Sequence, residues 1–357
     1  FFICFSSWIS CRMVKEGEGI MDAKKQIRCG VIGYGGAFNM GHRHLTSMAL
    51  NPRMEVAAIC ELDGERRKVA ADEWPQAGVY AKVTDMLAKG DLDLVAIITP
   101  HDSHGKLGVQ CLEAGVGVVC EKPMAVSSKE VKEMMAAAKK NKVLLSTFHN
   151  RRWDGDFMTL RDLIRKEKII GRVFRIEAGS SGYGPQRDWW RADKKISGGS
   201  IYDWGAHFTD WILNIATDEI SWVSGYQVKN REWKQYSNED HSEYTLKFKG
   251  DCTATLTISN LAMSGRPRWR ILGEQGAIEH AGGKFLVKTM VNGRQMSTEV
   301  PFAESKWDAY YENVYKHMLG RAKLVITPES AARVIGVLEA ANLSAAKGSQ
   351  PVKPAFR

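Results

Sequence analysis

The stretch Gly198-Gly199-Ser200-Ile201-Tyr202-Asp203-Trp204-Gly205-Ala206-His207 carries the densest chemistry in the chain. On a helix, Asp203 and His207 stand four residues apart and share one face. Histidine can take a hydroxyl proton near neutral pH, and a carboxylate beside it can orient the ring or a substrate. A buried structural Asp–His pair has the same spacing, as has a metal pair, for which no third ligand is evident. Glu121-Lys122-Pro123 ends a short apolar run, and an ammonium there can hydrogen-bond a reacting oxygen and favour its alkoxide character. Arg187-Asp188-Trp189-Trp190-Arg191 precedes the double glycine. Aromatic faces flanked by arginines suit a polyhydroxylated ligand, although two core tryptophans fit equally well in a chain with 11.

A second set of residues suits a dinucleotide. Gly33-Tyr34-Gly35-Gly36-Ala37-Phe38 follows an apolar run and precedes a helical pattern. Glycines there permit a tight turn and close approach of a pyrophosphate to helix N–H groups. Strict GxGxxG spacing fails, because Phe38 stands where the third glycine belongs. Gly41 can take that role if the turn carries three extra residues, and Glu61 lies 20 residues beyond Gly41, near the spacing of about 20 for a ribose-binding acid. A carboxylate at Glu61 accepts both ribose hydroxyl protons and repels a 2′-phosphate, which favours NAD; Arg66 and Arg67 nearby leave NADP open. Thr99-Pro100-His101 follows the next apolar run and His104 begins a helix, so both histidines belong to the ligand edge of the sheet or serve as caps.

The elements that position these groups are readable from periodicity. Apolar runs at Ile27–Ile32, Met54–Cys60, Leu92–Ile98, Val116–Cys120 and Val143–Thr147 read as buried strands. Helical patterns lie between them at His42–Leu50, Gly64–Trp74, Val83–Lys89, Lys106–Ala114 and Ser128–Lys140, the last capped by Ser127 or Ser128. Alternation of this kind predicts a parallel, doubly wound sheet. After Asn150 come helices at Phe157–Lys166 and Gly205–Ile215. Strands then follow at Val173–Ala178, Ser221–Val228, Ser242–Phe248, Thr253–Ser259, Arg268–Leu272, Ala277–His280, Lys284–Thr289 and Gln295–Val300. Short connections imply a mostly antiparallel sheet, and Asn292-Gly293 is a hairpin signal. Helices close the chain at Trp307–Leu319 and Pro328–Lys347, with Thr327 and Pro328 at the start of the second. So many strands with few helices leave one sheet face open, which predicts a homodimer or homotetramer built on it.

Composition narrows the class. The chain has 357 residues and a net charge of +9 without a tight basic run or a nucleic-acid motif, so nucleic acid is not an expected partner. The charge reads as a solvated surface or a site for an anionic ligand. No run of 18 apolar residues exists, so no membrane-spanning helix is expected. Seven cysteines without a CxxC pair argue against a zinc ribbon and fit a reducing cytoplasm. Residues 1–24 lack caps, pattern and motif. They read as an extension outside the fold, non-native or disordered, with Met21 as the expected start.

The order of motifs brings these readings together: glycine loop, strand-end acid, Thr-Pro-His with a following His, Glu-Lys-Pro, then Gly-Gly-x-x-x-Asp-x-x-x-His. It resembles the Gfo/Idh/MocA family of oxidoreductases over residues 27–350. The resemblance implies an α/β chain with an N-terminal Rossmann domain (25–148). An α+β domain (149–326) with a large, mostly antiparallel open sheet would follow, then a C-terminal helix and tail (327–357) packing back on the first domain. It implies NAD, or NADP, and a sugar, an inositol or one of their acids as substrate. Carried over, Lys122, Asp203 and His207 match the catalytic lysine, aspartate and histidine. Gly33, Tyr34, Gly35, Gly36, Ala37, Phe38, Glu61, Thr99, Pro100, His101, His104, Glu121, Lys122, Asn150 and Arg151 fall at cofactor positions. Arg152, Trp189 and Arg191 join the catalytic three around the substrate. Asn150-Arg151-Arg152-Trp153-Asp154 is similar to a stretch that lies near the nicotinamide in some members. Relatives that hydrolyse glycosides by transient oxidation, or that bind the dinucleotide only as regulators, are the alternatives.

Overall fold

The computed structural model describes residues 26–186, 188–229 and 231–357. The expected N-terminal extension, with Cys4 and Cys11, and Arg187 lie outside the described residues.

The first half alternates strands and helices: β1 (Ile27–Ile32), α1 (Met40–Ala49), β2 (Met54–Cys60), α2 (Gly64–Glu73), β3 (Gly78–Tyr80), α3 (Val83–Lys89), β4 (Leu94–Ile97), α4 (His101–Glu113), β5 (Gly117–Cys120), α5 (Ser128–Asn141) and β6 (Leu145–Thr147). The strands form a six-stranded parallel sheet in the order β3-β2-β1-β4-β5-β6. Both faces are covered, which is why the strands read as continuous apolar runs. Leu94 and Ala96 pack on the α1 side, while Val95 and Ile97 enter the opposite core. Edge strand β3, three residues long and half-buried, has no periodic signature and escaped the sequence reading. Helix starts follow local chemistry. Asp63 accepts from Arg66 N at 2.8 Å, and Ser127 accepts from Glu130 N at 3.3 Å while Glu130 accepts from Val126 N, one residue before the cap.

The second half contains α6 (Gly155–Arg165), β7 (Val173–Ser181), α7 (Lys194–Ser197), α8 (Trp204–Ile215), β8 (Ile220–Lys229), β9 (Glu239–Phe248), β10 (Thr253–Ser259), β11 (Trp269–Gly273), β12 (Gly276–Ala281), β13 (Lys284–Val291), β14 (Arg294–Pro301), α9 (Ala309–Met318) and α10 (Pro328–Ala346). Its eight-stranded sheet runs β14-β13-β12-β11-β7-β10-β9-β8 and is antiparallel except for the β7–β10 pair. Asn292 and Gly293 both take positive φ, 50° and 74°, as a two-residue hairpin turn requires. Helices α8 and α10 pack on this sheet, with Trp211, Ile212, Val337 and Leu338 in one core with Ile176, Leu256 and Trp269.

Two helices join the halves. Tyr310, Tyr311 and Val314 of α9 are buried with β1 and α1 in the core of the first domain, rather than with the second domain to which the sequence reading gave them. Helix α10, with Pro328 in its first turn and Thr327 as its cap, packs on β8 and α8 and also meets α5 and β6.

Candidate active site

The strand order reverses beside β1, between β2 and β4, and ligands of open α/β sheets sit outside the carboxyl ends at such a point. The turn after β1 is built for close approach. Gly33 has φ 101°, and a Cβ there would lie 2.5 Å from the Ile98 carbonyl oxygen. At Gly41 a Cβ would lie 2.6 Å from the Tyr34 ring and 3.0 Å from the Gly33 carbonyl oxygen. Only glycine lets α1 come this near the turn, so Gly41 fills the third-glycine role across the enlarged loop. Gly35 has open space around it, and residues 35–39 are exposed, leaving a cradle beside the start of α1 that fits a pyrophosphate.

Glu61 is anchored at the base of that turn. Its carboxylate accepts from Tyr34 N at 2.5 Å and from Asp63 N at 2.9 Å. Arg66 donates through Nε to the Tyr34 carbonyl at 2.9 Å, and Arg67 donates to the Glu61 and Leu62 carbonyls at 3.0 and 2.6 Å. The Tyr34 ring points inward, with its hydroxyl on the Glu73 carboxylate and a 3.0 Å hydrogen bond from Trp74 Nε1.

Helix α4 starts at His101, earlier than periodicity indicated. His104 is fully buried, with Nδ1 2.8 Å from the Pro123 carbonyl oxygen and Nε2 2.8 Å from that of Thr99. It lies between the turn after β4 and the turn after β5, where a neutral ring donates to one of the two carbonyls, and being fully buried it presents no ring nitrogen to a cofactor, contrary to the expectation for this residue. His101 reaches the other domain, Nδ1 lying 2.9 Å from the Ser197 carbonyl oxygen and the ring 4.7 Å edge-on from Trp190. Burial pushes both histidines below their usual pKa, His101 the more strongly.

Glu121 lies behind the lysine. One oxygen accepts from Lys122 N at 2.9 Å and the other lies 3.2 Å from His44 Nε2, whose Nδ1 is 2.5 Å from the Tyr311 hydroxyl. Burial raises the Glu121 pKa, but His44 and Lys122 outweigh it and the net shift is downward. The Lys122–Pro123 peptide is cis. Lys122 Nζ crosses the cleft to pair with Asp203 Oδ1 and lies 3.4 Å from the Asp203 carbonyl oxygen.

Asp203 is not inside the helix. It is the residue before α8, with φ −83° and ψ −90°, and its side chain caps no N–H. Arg191 Nη1 donates to the same Oδ1 at 3.1 Å. Burial raises the Asp203 pKa, yet Lys122 first and Arg191 second hold it far below the usual carboxylate range. The double-glycine turn that presents Asp203 is held from β9: Glu239 accepts from Ser200 N at 3.0 Å and pairs with Lys194. Gly199 has φ 120°, and a Cβ there would meet Glu239 at 3.1 Å.

His207 sits one turn into α8 and is buried, with Nδ1 unpartnered and its ring 5.7 Å from Trp204 and 6.3 Å from His149. Burial first, then Lys122 and Arg151, hold its pKa well below 6.5. The ring is therefore an unprotonated acceptor at neutral pH. Among the described residues Asp203 bonds Lys122 and Arg191 rather than His207, so the carboxylate orders the cations and not the imidazole.

The remaining expected residues divide. Asn150 and Arg151 lie on the turn after β6, with Arg151 paired to Asp154 at 2.9 Å and stacked 4.7 Å over Trp204. Trp189 packs edge-on against Phe38 at 5.2 Å. Arg152, expected at the substrate, is spent on structure. It holds Asp210 through Nε and Nη2 at 2.8 and 2.6 Å and also bonds the Val325 carbonyl and Ser330. Two residues near His207, His149 at the same sheet edge one residue before Asn150 and Arg268, stacked 5.4 Å from Trp204, have positions in the sequence that point to the site; Glu239, which holds the double-glycine turn, has none.

Comparison with known proteins agrees with the two-part fold. The family described as "Oxidoreductase family, NAD-binding Rossmann fold" matches residues 27–149, and the "GFO/IDH/MocA C-terminal domain" matches residues 157–279. The chain is 38% identical over 190 residues to the uncharacterized oxidoreductase YdgJ of Escherichia coli, a match that spans 53% of each chain. It is 26% identical over 341 residues to the scyllo-inositol 2-dehydrogenase (NADP(+)) IolW of Bacillus subtilis, covering 88% of this chain and 92% of that one. The solved structure of an NAD-binding protein from Listeria innocua superposes with a TM-score of 0.80 at 26% identity, covering 92% of this chain and 97% of the other.

Proposed function

Because the chain belongs to the Gfo/Idh/MocA family of oxidoreductases, we propose that it moves a hydride between NAD(H) and a hydroxyl-bearing carbon of a sugar, inositol or related polyol. The observation that carries this reading is the meeting of Lys122 and Asp203 across the cleft, one from the edge of the parallel sheet and one from the turn before α8. The bound dinucleotide would supply the hydride chemistry. Gly33 to Phe38 would hold its pyrophosphate and Glu61 its ribose. Lys122 donates a hydrogen bond to the reacting oxygen and steadies its negative charge. His207, unprotonated, accepts the hydroxyl proton. Asp203 fixes the ammonium through Oδ1, and its other oxygen is left for a substrate hydroxyl.

Glu61 supports NAD over NADP, while Arg66 and Arg67 are tied to backbone carbonyls. Self-association is proposed for the open sheet face. A groove of about 280 Å³ runs there between Glu177, Thr255, Thr257, Arg266 and Arg270, away from Lys122, Asp203 and His207. Light scattering at micromolar concentration should give a dimer or tetramer; a monomer contradicts it. No helix among the described residues is long and apolar enough to cross a membrane.

The test of the activity is reduction of NAD or NADP by myo-inositol, scyllo-inositol and a panel of aldoses. Net nicotinamide reduction supports the dehydrogenase reading. Sugar release from glycosides without net reduction would replace it, as would NADH binding with no turnover of any kind.

A further inference from the structure

Three turns at the carboxyl edge of the parallel sheet touch one short segment of the second domain. The turn after β1 does so through Phe38 on Trp189 and Arg191, the start of α4 through His101 on Ser197 and Trp190, and the turn after β5 through Lys122 on Asp203. Arg191 is the residue these contacts share. Its guanidinium lies 5.2 Å from the Phe38 ring, 4.9 Å from Trp189 and 5.1 Å from Trp190. Its Nη1 reaches Asp203 Oδ1, the oxygen that also binds Lys122. Its backbone is anchored separately, the carbonyl accepting from Asn238 Nδ2 at 2.6 Å.

A guanidinium held in an aromatic cage gains from ring faces and loses when they move. Phe38 is a cage wall and belongs to the loop that would carry the pyrophosphate. It is half exposed. From that loop to the catalytic carboxylate the path is two contacts long.

We propose that Arg191 is a positioning residue that couples the dinucleotide loop to the Lys122–Asp203 pair. A shift of Phe38 on dinucleotide binding loosens or tightens the cage, moves the guanidinium on Asp203 Oδ1 and so re-aims the carboxylate that holds Lys122. This rests on the dinucleotide reading above but assigns Arg191 a role other than substrate contact.

The experiment is NADH release, followed by nicotinamide fluorescence on displacement with excess ADP-ribose, in the full chain. Arg191→Met and Phe38→Ala should each speed release by about three- to fivefold, as loss of one exposed cation–aromatic contact does. The double variant should be no faster than the faster single, since the two act as one unit. Arg191→Lys and Phe38→Tyr should restore most of the normal rate. With the best polyol of the screen, Phe38→Ala should lower kcat and leave KM within about twofold. Multiplying effects of Phe38→Ala and Arg191→Met, unchanged release in Arg191→Met, or an Arg191→Met defect confined to KM would each overturn the coupling. Failure of the unmodified chain to bind NADH would overturn the dinucleotide reading and the coupling with it.

Discussion

Asp203, just before helix α8, and Asp210, within it, form two Asp–cation clusters seven residues apart, and they are built oppositely. At Asp210 both oxygens are taken by the Nε and Nη2 edge of one arginine, Arg152, and the carboxylate is 2% exposed. At Asp203 two cations share a single oxygen, and the side chain is 32% exposed. The closed pair has no capacity left for a ligand and ties the turn after β6 to α8. The shared pair is under-satisfied on one side and opens to the cleft. The same residue types therefore hold the fold in one place and await a substrate in the other. Counting partners on each oxygen separates them, where residue type does not.

The sharpest way to break this comparison is to remove one arginine from each cluster. Arg152→Met strands an ionised, buried Asp210 and should cost about 3–5 kcal/mol of unfolding free energy. Arg191→Met leaves Asp203 its Lys122 partner and some water, and should cost less than about 1 kcal/mol. Urea denaturation reads both. Equal losses would show that the two clusters are not different in kind.

Next in size is the response of the closed interior to acid. Burial holds His101, His104, His149 and His207 below the usual value. The unfolded chain protonates these rings once the pH drops below about 6.5, while the folded chain resists. Between 6.5 and the depressed folded values the unfolded state binds more protons. Stability should thus fall with falling pH, by up to about 1.4 kcal/mol per pH unit for each ring. The depressed carboxylates Asp203 and Asp210 act lower, their contribution present above about pH 3.9 and lost below it. Urea midpoints at pH 7.5, 6.5 and 5.5 should decline, and His207→Phe should flatten the slope. A level series contradicts the neutral-ring assignment. Turnover should likewise show no titration of His207 near pH 6.5.

The smallest effect expected is at Glu61. Its replacement by alanine should narrow the preference for NAD over NADP by several-fold, about 1 kcal/mol. Tighter binding of NADP than NAD by the unmodified chain would contradict the assignment.

How much of this was legible beforehand depends on where the signal lives. Gly41, Glu61, Ser127, Asn292-Gly293 and Pro328 were readable because turn and cap chemistry is local. The doubly wound sheet followed from apolar runs of the right length. Helix α8 starts one residue before the expected Gly205, within the ambiguity of a cap, whereas α4 starts five residues before Lys106 because its first turn, His101 to Gly105, has no apolar periodicity. Partners at long separation were not legible. His44 finds Tyr311 across 267 positions, and Ser200 finds Glu239 across 39. Arg152 reads as a site residue from the stretch it stands in, and only the approach of α8 shows that Asp210 consumes it.

Placement of the chemistry between the two domains depends most on Lys122. Replacing it with methionine keeps the unbranched stem as far as Cε and removes the ammonium that faces Asp203. With the polyol selected by the screen, turnover should fall by about 100- to 10,000-fold, with NADH affinity within a few-fold and the melting temperature close to that of the unmodified chain. His207→Phe should cost a similar factor, and the two losses should be less than additive, because both groups serve one proton transfer. Near-normal turnover in Lys122→Met would contradict the placement of the chemistry between the two domains.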